Sequence, residues 1–103
     1  MLQGAYSDLV GSDKAKCADL GRSARSRFYF DGLVTYGGPS DELDGWSNPL
    51  TGDVILYQGT FRSMTDLRNT IIHEEVHLVS FWGHFLSFSE RAANYYGRMC
   101  ENG

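Results

Sequence analysis

The run His73-Glu74-Glu75-Val76-His77 is the part of this sequence best suited to chemistry. Two histidines four positions apart on an α-helix project from one face, with Cβ atoms about 6 Å apart, so both imidazoles can reach one metal ion. The glutamate after the first histidine projects beside such an ion rather than onto it. There it can hold a water and take its proton. With three His and five Glu in 103 residues, chance gives this pattern roughly four times in a thousand such chains. Its context agrees. At steps of about 100° per residue, Asp66, Asn69, Thr70, His73, His77 and Ser80 fall on one polar side. Leu67, Ile71, Leu78 and Trp82 fall opposite, flanked by Ile72 and Val79. The bland alternative is a pair of surface histidines on an amphipathic helix. Glu75 falls near the apolar side, which asks for an edge position or a buried ion pair.

A catalytic zinc takes three protein ligands and keeps one position open. His84 is one candidate for the third, but the extended pattern H-E-x-x-H-x-x-G-x-x-H needs Gly at 80 and His at 83. The chain has Ser80 and Gly83, with His84 one residue late. Glu90, thirteen residues after His77, is the better candidate. In Ser89-Glu90-Arg91-Ala92-Ala93-Asn94 the Glu and Asn share a helical face. Asn94 could then accept a hydrogen bond from the free ring nitrogen of His73 and fix its tautomer. Ala93 and Gly97 flank this stripe and admit close helix packing. The competing reading of Glu90 is a capping box with Ser87. The expected set is therefore one Zn2+ per chain on His73, His77 and Glu90, with Glu74 as general base. Candidates for stabilising an oxyanion are His84, Tyr95, Tyr96 and Tyr36, each with an alternative role in packing or in a loop.

These residues need a scaffold. Leu9, Val10, Ala15, Cys17, Ala18, Leu20 and Ala24 predict one helix around 12–26, with Gly11 and Gly21 as breaks. Residues 28–36 are aromatic and β-branched and predict a strand; 53–58 predict a second. Between them, 37–52 is rich in Gly, Pro, Asn and Asp and reads as a long functional loop, with Trp46 as a large anchor for a partner. Residues 65–82 predict the motif helix, capped by Ser63 or Thr65 and closed by Gly83. Ser87 to about Met99 predict the last helix. The expected fold is α+β: one domain over 1–103, a small sheet packed with an N-terminal helix, the motif helix and the Glu-bearing C-terminal helix.

Composition bounds the function. The chain is 42% hydrophobic and 21% charged, which is ordinary for a globular domain. A net charge of −4 offers no global pull toward nucleic acid or anionic lipid. The basic residues within 1–27 read as a solvated mixed-charge face, so neither a nucleic-acid nor a membrane partner is expected. No stretch approaches the roughly 18 apolar residues of a membrane span, and the first residues show no signal-peptide pattern. Cys17 and Cys100 lack metal-finger spacing and are expected as two reduced, half-buried thiols rather than a staple.

On His73, Glu74, His77, Glu90 and Asn94, the chain resembles zincin metallopeptidases of the gluzincin type, in which H-E-x-x-H on one helix is completed by a Glu on a second. Glu90-Arg-Ala-Ala-Asn-Tyr-Tyr96 is similar to the Glu-x-x-Ala-Asn-x-Phe of small regulator-cleaving (ImmA/IrrE-like) peptidases. The size and the short gap to Glu90 look more like the metallopeptidase toxin domains of bacterial polymorphic (Rhs-type) toxins. The resemblance covers about residues 53–100. It implies a protein or peptide substrate, a cognate immunity protein, and delivery into a target cell as part of a larger secreted toxin acting in the cytoplasm. The alternatives are a regulator-cleaving cytoplasmic peptidase, metal-dependent hydrolysis of something other than a peptide, and a zinc-stabilised, non-catalytic binding module closed by a fourth ligand.

Overall fold

A computed structural model describes residues 1–80 and 86–103, with 86–89 described by backbone alone. The chain runs as α1 (Leu2–Val10), α2 (Ala15–Tyr29), β1 (Val34–Tyr36), β2 (Gly45–Ser47), β3 (Val54–Leu56), a 3-10 turn (Gln58–Arg62), α3 (Met64–Ser80) and α4 (Leu86–Cys100). Among the described residues this is an α+β arrangement of four α-helices and a three-stranded mixed sheet.

The motif helix α3 is the hub. Ser63 caps it by accepting a hydrogen bond from the Asp66 amide at 3.1 Å, and Asp66 sits in the first turn, where a negative charge is favourable. Both features match the sequence reading. Burial does not keep to one stripe, however. Leu67, Ile71, Ile72, Val76 and Leu78 are buried, but so are Thr70, Glu74 and Glu75, while Val79 is exposed. A helix packed by α1 and α2 on one side, α4 on another and β2 on a third has little surface left for solvent. Trp82 and Gly83, expected at its end, lie outside the described residues.

The N-terminal region departs from expectation. Two helices stand where one was predicted over 12–26. Gly11 ends α1, and α2 runs on through Gly21. A Cβ on Gly21 would lie 2.7 Å from the Leu9 Cβ, so that glycine marks where α1 crosses α2, not a break. The predicted strand over 28–36 shrinks to Val34–Tyr36. Phe28 and Tyr29 finish α2 instead and pack with Tyr6, their two rings edge to face at 4.9 Å and the Tyr6–Phe28 centroids 5.7 Å apart.

The sheet has the order β1-β3-β2. The central strand β3 pairs in parallel with β1 (Val34↔Val54) and antiparallel with β2 (Gly45↔Leu56, Ser47↔Val54). Strand β2 falls inside the segment read from sequence as loop. It carries two of its three residues as Gly and Ser, which give no strand signal.

Cys17 and Cys100 form a disulfide, with Cα atoms 5.6 Å apart and both residues fully buried. The expectation of two reduced thiols is therefore corrected. The start of α2 and the end of α4 lie side by side, a neighbourhood that a separation of 83 residues along the chain conceals. Close helix packing at Ala93 and Gly97 is as expected. Ala93 is fully buried, and a Cβ on Gly97 would meet Asn69 Oδ1 at 2.5 Å. Asn69 in turn donates to Glu101 at 2.8 Å, and Arg68 donates to the Glu101 carbonyl at 2.7 Å. Together these contacts fix the register of α4 on α3, and with it the height of Glu90.

Candidate metal centre

His73 and His77 leave α3 one turn apart, as their spacing requires, with Nε2 atoms 3.1 Å from each other. Glu90 comes from the second turn of α4. Its Oε1 lies 3.5 Å from His73 Nε2 and its Oε2 lies 2.9 Å from His77 Nε2. The ligand atoms of the three residues all lie within 4.8 Å of one another. Two nitrogens around a tetrahedral zinc, each at about 2.0–2.1 Å, sit about 3.3 Å apart. The imidazole pair is close to that spacing, and two His nitrogens with one carboxylate are a donor set of the catalytic zinc type. Both histidines are half-buried and Glu90 is more exposed, which leaves the cluster open on the Glu90 side. Burial first, and His77 next, hold the His73 pKa below its ordinary value, against the pull of the Glu90 carboxylate. A neutral imidazole is the form that ligates. The residues therefore fit the metal that the sequence suggested.

Glu74 points elsewhere. It lies on the β2 side of α3 and is only 6% exposed. Burial pushes its carboxyl up to about 7, opposed by a hydrogen bond from the Ser47 side chain and aided by the Glu90 carboxylate. A carboxyl that titrates near neutrality matches the requirement for a general base. Strand β2 reaches it because residue 45 is glycine. A Cβ there would lie 3.1 Å from Glu74 Cγ and Oε2 and 2.8 Å from Thr70 Cγ2. Thr70 is held from behind by the buried Thr60 hydroxyl at 2.6 Å.

Glu75, one residue on, is 1% exposed and fully engaged on the α2 side. Arg27 grips it with two hydrogen bonds of 3.0 Å, and Ser23 donates to the same carboxylate at 2.6 Å. Of the two placements that its sequence position allowed, the structure takes the buried ion pair.

The other sequence candidates separate. Asn94 is exposed and makes no hydrogen bond among the described residues, so the expected bond from His73 is not formed. It lines an open groove with Glu90, Arg91, Tyr95, Arg98 and Met99. Tyr95 is exposed beside Glu90 in that groove. Tyr96 is drawn away from the cluster: its ring packs on the core and lies 5.7 Å below the Lys16 ammonium. Tyr36 stacks on Phe61 at 5.6 Å. His84 lies outside the described residues, as does the side chain of Ser87, the partner in the capping-box reading of Glu90. Sequence reasoning missed Gly45 and Ser47. Their only signal was that Asp44-Gly45-Trp46-Ser47 sat in a long connection; nothing in the sequence registers it against Glu74.

The chain matches no protein-family model, no curated protein and no solved structure.

Proposed function

We propose that this domain is a zinc-dependent peptidase, on one observation above the others: His73, His77 and Glu90 converge from two helices, while Glu74, the residue after His73, is buried and, among the described residues, paired with no cation. When bound, zinc supplies a lowered pKa for water and polarises a carbonyl. The chain's own residues do the rest. Glu74 takes the proton from the water that attacks the scissile carbonyl carbon, then delivers it to the amine nitrogen as the C–N bond breaks. The substrate strand adds to the outer edge of β2, which pairs with β3 alone among the described residues. Among the described residues no fourth His, Cys, Asp or Glu joins the cluster.

The biological setting that fits best is a toxin domain delivered into a target cell and restrained by an immunity protein. The buried disulfide supports it. Disulfides form in oxidising compartments, as on an export route, and a regulator-cleaving peptidase confined to the cytoplasm has no such stage. Zinc content tests the ligand set. Wild type and His84→Ala each hold one zinc per chain, and His73→Ala and Glu90→Ala lose it. Retention by Glu90→Ala with loss by His84→Ala overturns the third ligand. Casein or reporter-peptide cleavage by wild type but not by Glu74→Gln tests the reaction. Expression in a bacterial cytoplasm tests the setting: wild type arrests growth and Glu74→Gln does not.

A further inference from the structure

The groove along α4 starts at Glu90, a member of the candidate metal cluster, and continues along the helix past Arg91, Asn94, Tyr95, Arg98 and Met99. It is open and holds about 820 Å³, a size in the range of ligand sites. Its charge runs against that of the chain. The sequence carries a net charge of −4, yet here two guanidiniums stand with one carboxylate, and that carboxylate already faces His73 and His77. Arg22, Arg27, Arg62 and Arg68 are each tied to a carboxylate. Arg91 and Arg98 are exposed, and neither has an ion-pair or hydrogen-bond partner among the described residues.

The surface between the two arginines is held from below. Tyr95 is 63% exposed, but its ring stands edge-on to Tyr96 with centroids 5.1 Å apart, and both Tyr96 and Met99 pack on the core. Asn94, exposed beside them, carries a donor and an acceptor, the pair that a peptide group asks for. Arg91 and Arg98 are seven residues apart, so they leave α4 on nearly one face with about 10.5 Å of rise between them. An extended peptide advances about 3.3 Å per residue, so carboxylates about two to four residues apart on one segment reach both. We infer that this groove binds an acidic segment of the substrate, with Arg91 and Arg98 as the specificity-determining residues for its carboxylates and Tyr95 as the ledge on which it lies. This rests on the peptidase reading, in which Glu90 at the head of the groove is a metal ligand. A nucleic acid would also meet arginine and tyrosine here, but the net negative charge of the chain opposes a polyanion as a whole.

The first measurement needs no turnover. The Glu74→Gln domain in zinc-containing buffer leaves a peptide whole. By fluorescence anisotropy at low salt, it binds a labelled ten-residue peptide of alternating Glu and Ser about 4- to 25-fold tighter than the Gln counterpart. That is about two- to fivefold for each arginine, the scale of partly exposed charge pairs. Adding Arg91→Ala or Arg98→Ala removes about two- to fivefold of this preference, and added salt weakens it. Arg22→Ala, which takes the same charge from α2, leaves it in place. A preference below about twofold overturns the proposal, and so does an equal loss in Arg22→Ala. A ten-nucleotide oligothymidylate that binds tighter than the Glu peptide through the same two arginines overturns it in favour of nucleic acid. The second measurement is cleavage of a proteome-derived peptide mixture by wild type, read by mass spectrometry. Asp and Glu are enriched at least about twofold near the cut, and Arg91→Ala with Arg98→Ala abolishes the enrichment. Cleavage without enrichment overturns the groove and leaves the peptidase reading standing. No cleavage, with arginine-dependent binding of the Glu peptide intact, overturns the peptidase reading and leaves the acidic-peptide groove standing.

Discussion

Glu74 and Glu75 are consecutive, both buried, and separated by about 100° around α3. That rotation sends one toward β2 and the other toward α2. Glu75 meets a guanidinium and a hydroxyl and is fully satisfied. Glu74 is paired with no cation among the described residues, and burial raises its pKa to about 7. Paired burial makes a carboxylate a structural member; unpaired burial leaves it able to exchange a proton near neutral pH. One helix thus holds a scaffold on one side and a reactive group on the other.

The widest separation between the two sides is expected in turnover. Glu74→Gln keeps zinc and fold but loses peptide hydrolysis by about 10²–10⁴-fold, the range for removing a general base. Glu75→Gln leaves the specific activity of the folded protein within a few-fold. Steady-state kinetics on both variants, normalised to zinc content, decide this. Equal losses would erase the distinction between the sides.

In stability the order reverses. Arg27→Ala strands Glu75 as an uncompensated buried charge and costs about 3–5 kcal/mol, because the Arg27 and Glu75 side chains are only 17% and 1% exposed. Urea unfolding gives the value. A cost below about 1 kcal/mol, the level of an exposed pair, would mean that Glu75 is not the structural member described.

How much of this could be read in advance followed the range of the interaction. The motif, its helix, the Ser63 cap, the Glu90-bearing helix and the small residues Ala93 and Gly97 depend on contacts within a turn or two, or on a helix periodicity. All of these are present in the fold. What failed depended on distant partners. Phe28 and Tyr29 have strand propensity but finish a helix because Tyr6 is there to receive them. Gly21 looks like a breaker until α1 crosses it. Strand β2 is made by pairing with β3, not by its own residues. The awkward position of Glu75 did announce a buried partner, but no sequence pattern could name Arg27, 48 residues away.

The disulfide sharpens the comparison from outside α3. It joins α2, the scaffold side, to α4, the helix that brings Glu90. Replacing both cysteines with serine is expected to cost about 2–4 kcal/mol. The Ala93 and Gly97 packing and the Glu101 contacts still set α4 on α3. One zinc per chain should therefore remain in the folded variant. Loss of zinc under native conditions would show that α4 depends on the staple for its register.

The smallest effect is in the pH dependence of stability, read on metal-free protein because a bound cation would favour the Glu74 carboxylate. The folded-state pKa is about 7, against about 4.3 for an unfolded glutamate. Between these values the native state binds more protons than the unfolded chain, so the Glu74 contribution to unfolding free energy falls as pH rises and levels off above about pH 7. His73 acts in the opposite sense. Its pKa is lowered on folding, so the unfolded chain binds more protons and stability rises with pH through the histidine range. Both act in wild type, and Glu74→Gln keeps only the second. Urea unfolding at pH 5 and pH 8 should therefore show wild type losing on the order of 1–3 kcal/mol relative to Glu74→Gln over that interval. Parallel profiles for wild type and Glu74→Gln would mean that burial does not strain this carboxylate, and the difference between the two sides of α3 would reduce to the presence of Arg27.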